Sequence, residues 1–160
     1  MPVKPDSVAP TPEAQLRSFL DRFDPKRQKL FRSVRAAVRK RLPAANELAY
    51  DYSDSVVISY PPTDRGIDGI VSIALRADGV RLYFQHGPQL PDPKGLLMGS
   101  GKQVRFVELQ AASQLAHPDV EALMAAAIEQ ASVPLPSQGK GSLIIKSDSA
   151  KKPPRRRPTK

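Results

Sequence analysis

The 160-residue sequence has no cysteine. That excludes disulfides, thiolate metal sites and a cysteine nucleophile, and it suits a reducing compartment. The core has to hold by packing alone. Long apolar runs are missing too. The opening MPVKPDSVAP lacks the apolar stretch of a secretory signal, and nothing approaches the roughly 20 apolar residues that span a bilayer. The expectation is a cytoplasmic protein with no membrane partner. There are two histidines, too few for a structural zinc site without help from carboxylates. No Gly-x-Ser-x-Gly elbow with a matching His and Asp is present, so a hydrolase triad has no support. No cofactor is implied, and the chain reads as noncatalytic.

The charge that is present is unevenly laid out. The formal net charge is +9, but residues 1–45 carry 11 Lys/Arg against 4 Asp/Glu, residues 46–139 carry 6 against 11, and residues 140–160 carry 8 against 1. The ends are basic and the middle is acidic. The length suits one domain with a proper core.

Residues 1–10 are polar, proline-punctuated and aperiodic, which predicts a disordered leader. Thr11 followed by Pro12 signals a helix start, and the spacing of Leu16, Phe19, Leu20 and Phe23 carries that helix to about 23. Asp24 and Pro25 repeat the signal for a second helix running to Leu42, before Pro43. Its Leu30, Phe31, Val34, Ala37, Val38 and Leu42 share one arc; Lys29, Arg32, Arg35, Arg39 and Lys40 lie opposite. From Glu47 the period falls towards two and the residues become β-branched and aromatic. Strands are predicted at 47–52, 55–60, 70–76, 80–85 and 103–109, with Ala77, Asp78 and Gly79 as a hairpin loop. Pro118 and Asp119 open a last helix to about 131. The fold class is α+β: two layers, with a mainly antiparallel five-stranded sheet, two N-terminal helices and one C-terminal helix over residues 11–133. Residues 134–160 read as a disordered, basic, proline-rich tail in which Leu143, Ile144 and Ile145 either dock as an extra strand or stay free.

The long loop HGPQLPDPKGLLMGSGK between the last two strands is the candidate ligand surface. His86 stands at its mouth, where a general base or ligand would sit. GSGKQ fails as a P-loop, because Leu96 stands where the first glycine belongs and Gln103 where Ser or Thr belongs. A looser anion nest is left open: Gly95, Gly99 and Gly101 expose backbone N–H groups while Lys94, Lys102 and Arg105 supply charge; Asp92 is a further candidate ligand-binding residue of the same loop. The alternative is an Ω-like loop pinned by its leucines. Asp51, Asp54, Asp64 and Asp68 read as turn residues, and His117 as a neighbour of a helix cap.

The stretch RLYFQHGPQLPDPKGLLMGSGKQVRFVEL, preceded by a Pro-stopped helix and ELAYDYSDSVVISY, resembles the YdhG-like family of small bacterial domains of unknown function. About residues 14–131 follow its pattern, most specifically over 90–105. The family often has an acidic residue where this chain has Met98 and a histidine where it has Phe106. The resemblance implies an antiparallel sheet covered by helices, frataxin-like in some members and linked there to iron delivery. It implies no established catalytic mechanism.

Three functions follow as expectations. The first is a binding or adaptor module for an unknown small ligand or protein through the 85–105 loop. The second is weak, nonspecific nucleic-acid association through Arg32, Arg35 and Arg39 on the second helix and Lys151, Lys152, Arg155, Arg156 and Arg157 in the tail; the tail itself has no aromatic residue to stack on bases. The third is iron handling, which needs clustered oxygen donors.

Overall fold

In the first described turn, Thr11 Oγ1 accepts a hydrogen bond from the Ala14 N–H at 3.1 Å, and Pro12 opens helix α1, Pro12–Leu20. Residues 11–100 and 102–147 are described by this computed structural model. The expected leader at 1–10 and the tail from 148 onwards lie outside them. Asp24 repeats the device for α2, Pro25–Arg41, accepting from the Lys26 N–H at 2.7 Å. α1 stops earlier than the expected 23, because the Phe23 N–H turns back to the Leu20 carbonyl, yet Phe23 still packs against the core. The third helix, α3, spans Pro118–Glu129, and His117 is its N-cap: Nδ1 accepts from the Asp119 N–H at 3.2 Å. No helix among the described residues is long and apolar enough to cross a membrane.

The strands are β1 Glu47–Asp51, β2 Ser55–Ser59, β3 Val71–Arg76, β4 Gly79–Phe84, β5 Arg105–Leu109 and β6 Leu143–Ser147. They lie in the order β5-β4-β3-β2-β1-β6. The first five are antiparallel neighbours in chain order, as expected. Among the described residues the expected strand count of five is corrected to six. β6 joins β1 in parallel, with Leu48 opposite Ile144 and Ala49 opposite Ile145, so the folded chain runs on past 133. The linker before β6 is anchored by backbone: Gly141 N–H to the Pro43 carbonyl at 2.9 Å, and the Glu47 N–H to the Ser142 carbonyl at 2.9 Å. A side chain at Gly141 would run into the carbonyl of Ala45.

Register divides the sheet into two unlike faces. On one, Val56, Ile58, Ile73, Leu75, Val80, Leu82, Val107 and Leu109 join Leu16 and Phe19 of α1, Phe31, Val34 and Val38 of α2, and Leu123 and Met124 of α3 in a single apolar cluster. All three helices therefore cover the same side. The other face carries transverse rows set by the pairing: Tyr50, Val57, Ala74, Arg81 and Glu108 in one, and Ile144, Leu48, Ser59, Ser72, Tyr83 and Phe106 in the next. Leu48 and Ala74 are buried there without belonging to the helix-side cluster.

Candidate functional site

The 86–105 loop uses its own polar groups to fold. Asp92 accepts from the Leu96 N–H at 2.8 Å and the Leu97 N–H at 2.9 Å, while the Gly95 N–H donates to the Asp92 carbonyl at 3.1 Å. The Asp92 carboxylate thus gathers the N–H groups of Leu96 and Leu97, and of the glycines expected to offer theirs to an anion, Gly95 is turned onto the Asp92 carbonyl. Met98 pairs with Phe106 along the outer edge of β5, Gly99 sits against the Phe106 ring, and Gly87 packs against the stem of Arg105. Lys94, Lys102 and His86 are exposed. Among the described residues no hydrogen bond or ion pair joins His86, Lys94 or Lys102 to one another or to Asp92. Arg105 is half-buried in β5, its guanidinium reaching the Val104 carbonyl at 3.4 Å. Gly101 is outside the described residues.

The basic face of α2 is partly neutralised from within. Arg35 donates from Nε and Nη2 to Glu47 at 2.8 Å each, and from Nη1 and Nη2 to Glu13 at 3.0 and 2.7 Å. The Tyr60 hydroxyl donates to Glu47 Oε2 at 2.7 Å, and Arg39 Nε lies 3.4 Å from Oε1. Glu47 is 3 % exposed and Tyr60 fully buried. Arg32 instead donates to Gln28 at 3.0 Å, and Arg41 meets Glu121 of α3 at 2.8 Å. Burial opposes the charge on Arg35, but the two carboxylates more than offset it and raise its pKa. The same hydrogen bond holds the Glu13 carboxyl below its usual range. This cluster ties α1 and α2 to β1; it is an internal clamp.

Burial, and then the Glu47 carboxylate, push the Tyr60 hydroxyl well above the usual phenol range. An unfolded tyrosine ionises near pH 10, so the stabilisation from keeping Tyr60 neutral is intact below about pH 10 and is lost as the pH rises above it. In an alkaline titration followed by phenolate absorbance, one of the four tyrosines should ionise only together with the loss of circular dichroism. Tyr60→Phe should remove that step. Four tyrosines titrating in a protein that is still folded would contradict it.

Asp51 is no ordinary turn residue. It is buried and paired with Arg22 at 2.7 Å, and the same guanidinium reaches the carbonyls of Tyr52 and Ser55 across the β1–β2 turn. Asp68 keeps to the expected turn role, accepting from Thr63 Oγ1 at 2.7 Å.

The face of the sheet that none of the described helices covers is the surface that sequence reading missed. Tyr50 and Tyr52 stack with ring planes 2° apart and centroids at 6.0 Å. Towards the other edge, the Arg81 guanidinium lies over the Phe106 ring at 4.3 Å, and Tyr83 leans on the same ring at 5.5 Å. Arg81 is held in place by the Tyr83 hydroxyl at 3.3 Å, Asp78 at 3.5 Å and Glu108 at 3.7 Å. The alternation of Arg81 and Tyr83 with Val80, Leu82 and Phe84 was the available signal. The 61–69 loop folds back over the Leu48 corner, setting Gly66 against the Tyr50 hydroxyl and Gly69 against Ser59.

Concave sites are modest. An open groove of about 530 Å³ between the loop, β5 and the start of α3 is lined by Leu96, Val107, His117 and Val120, among others. Of its polar lining, His117 already caps α3 and the Gln114 side-chain oxygen already accepts from the Gln110 and Ala111 N–H groups, leaving Ser113. The niche holding His86, Leu90 and Gln130 has about 10 Å³, room for at most a single water. Among the described residues no group of three or more His, Asp or Glu is placed to hold a metal ion. Comparison with protein-family models, with curated proteins and with solved structures finds no match.

Proposed function

We propose that this chain is a noncatalytic binding module whose contact surface is the uncovered face of its sheet. One observation carries the reading: among the described residues all three helices pack on the opposite face, leaving Tyr50, Tyr83, Phe106 and Arg81 in an aromatic array that none of those helices covers. The loop favoured by sequence is the weaker candidate, because its Asp92 carboxylate already takes the Leu96 and Leu97 N–H groups and sets a negative charge where an anion would have to sit. The YdhG-like resemblance over 14–131 fits this reading, since it carries a fold and no established chemistry. The lack of cysteine suits a cytoplasmic setting.

Backbone amide mapping by NMR tests the proposal, with aromatic fragments and inorganic phosphate as separate probes. Aromatic fragments should shift the amides of Tyr50, Arg81, Tyr83 and Phe106 in a saturable way, while phosphate leaves residues 92–97 unmoved. A saturable phosphate site at 92–105, or an outer face indifferent to every fragment, would overturn it.

A further inference from the structure

We infer that the sheet face opposite the helices is a self-association surface, on which a second copy of this chain packs sheet to sheet about a two-fold axis. The inference rests on the binding-module reading above and names its partner. Three observations carry it. The first is apolar exposure. Among the described residues the large hydrophobic side chains most open to solvent are Tyr52, Ile67 and Met98. All three border this one face: Tyr52 stacks on Tyr50, Ile67 follows the Gly66 that sits against the Tyr50 hydroxyl, and Met98 is bridged to Phe106. Apolar side chains around a centre rich in Tyr, Phe and Arg have the composition of a protein contact.

The second is register. The midline of the sheet falls between β3 and β2, and a two-fold axis along that line, between two facing sheets, sets each position opposite its mirror position across the sheet. In the row Tyr50, Val57, Ala74, Arg81, Val57 then meets Ala74 of the second copy and Tyr50 meets its Arg81, each contact made twice. In the next row Ser59 meets Ser72 and Ile144 meets Phe106. Small side chains face small ones, a ring faces a guanidinium, and an aliphatic side chain faces an aromatic one. The 61–69 loop over the Leu48 corner is carried to the corner of Tyr83, Phe106 and Met98, so Ile67 and Met98 lose their exposure to one another. The third is charge. Arg76 and Arg81 are balanced on the face by Asp78 and Glu108, while Lys29, Arg32 and Lys40 of α2 stand exposed on the far side of the sheet. Two copies therefore meet without net repulsion, and a polyanion gains nothing there. Six strands and three rows make a patch of roughly 25 by 20 Å. The two copies together bury about 1,000 Å², the lower bound of a specific interface, which fits a weak, reversible dimer.

Sedimentation equilibrium of the full chain from about 1 μM to about 1 mM tests the inference. Monomer and dimer should exchange reversibly with a Kd of about 10–500 μM. The two Val57 side chains flank the axis, so Val57→Lys and Val57→Glu, each checked for the parental melting temperature, should separately weaken the dimer about tenfold or more. An equimolar mixture of the two should restore it. Ile67→Lys changes a loop side chain that is 72 % exposed, which spares the fold, and should weaken association about fivefold or more. Ser33→Glu, on the solvent face of α2, should leave it unchanged. A dimer indifferent to the Val57 and Ile67 variants would place the contact elsewhere and sink the inference. A chain still monomeric at about 1 mM would sink it as well; aromatic-fragment shifts on the outer face of that monomer would leave the binding-module reading standing, with a different protein as partner.

Discussion

Replacing Glu47 by alanine should lower stability by about 3–5 kcal/mol, because it leaves Arg35 and the Tyr60 hydroxyl without their shared acceptor inside the fold. For a chain of this size that corresponds to a melting temperature about 10 °C lower. Glu13→Ala should change stability by less than about 1 kcal/mol, since that carboxylate is 54 % exposed at the rim of the same cluster. The contrast decides the interpretation: equal losses would mean that the cluster acts through surface charge. Replacing the set together, as Arg35→Met, Glu47→Leu and Tyr60→Phe, should recover most of the stability lost in the single variant, because no polar group is then left stranded. Differential scanning calorimetry at neutral pH measures all three.

Ending the chain after Ser142 should be equally damaging, whereas ending it after Ser147 should leave the melting temperature unchanged. β6 half-buries Leu143 and Ile145 against the core and covers Leu48 and Ala49 of β1. At about 1.5–3 kcal/mol for each fully buried Leu or Ile, the half-burial of Leu143 and Ile145 together with the cover over Leu48 contributes roughly 4 kcal/mol, again about 10 °C. Gly141→Ala provides the point-mutant version. Its Cβ would strike the Ala45 carbonyl, and the backbone cannot yield without giving up the bond to the Pro43 carbonyl. A full-length Gly141→Ala protein melting with the parent would show that β6 does not support the domain.

These two predictions mark where sequence reading worked and where it stopped. Thr11-Pro12 and Asp24-Pro25 are short-range signals, complete within one turn of helix, and both caps form as expected. β1 to β5 were legible for a similar reason: each pairs with a neighbour reached through a short connection or a loop of recognisable composition. β6 has neither advantage. Leu143, Ile144 and Ile145 make a short apolar island, and their partner strand runs parallel to them from far upstream. The helical wheel placed Arg35 correctly on the polar side of α2, but nothing local revealed that Glu47 and Glu13 would close over it. Likewise the glycines of the long loop pointed to exposed N–H groups, and only the folded geometry shows Asp92 drawing in the N–H groups of Gly95, Leu96 and Leu97. The aromatic face escaped notice because alternation in β4 separates two faces without saying which one the helices choose.

The parallel seam between β1 and β6 also sets an order of events. Asn46 and Ser142, hydrogen-bonded at the start of that seam, are 96 positions apart, whereas the β3–β4 hairpin closes over a few residues. Closure entropy grows with loop length, and pairings distant in sequence form slowly, so the antiparallel strands assemble first and β6 docks last. Until then β1 is an edge strand with unpaired backbone groups beside Leu48 and Ala49, a template for another chain in the same condition. The protein's most association-prone moment therefore falls late in folding, after its helices and five strands are in place, and its length depends on how quickly one short strand finds its slot.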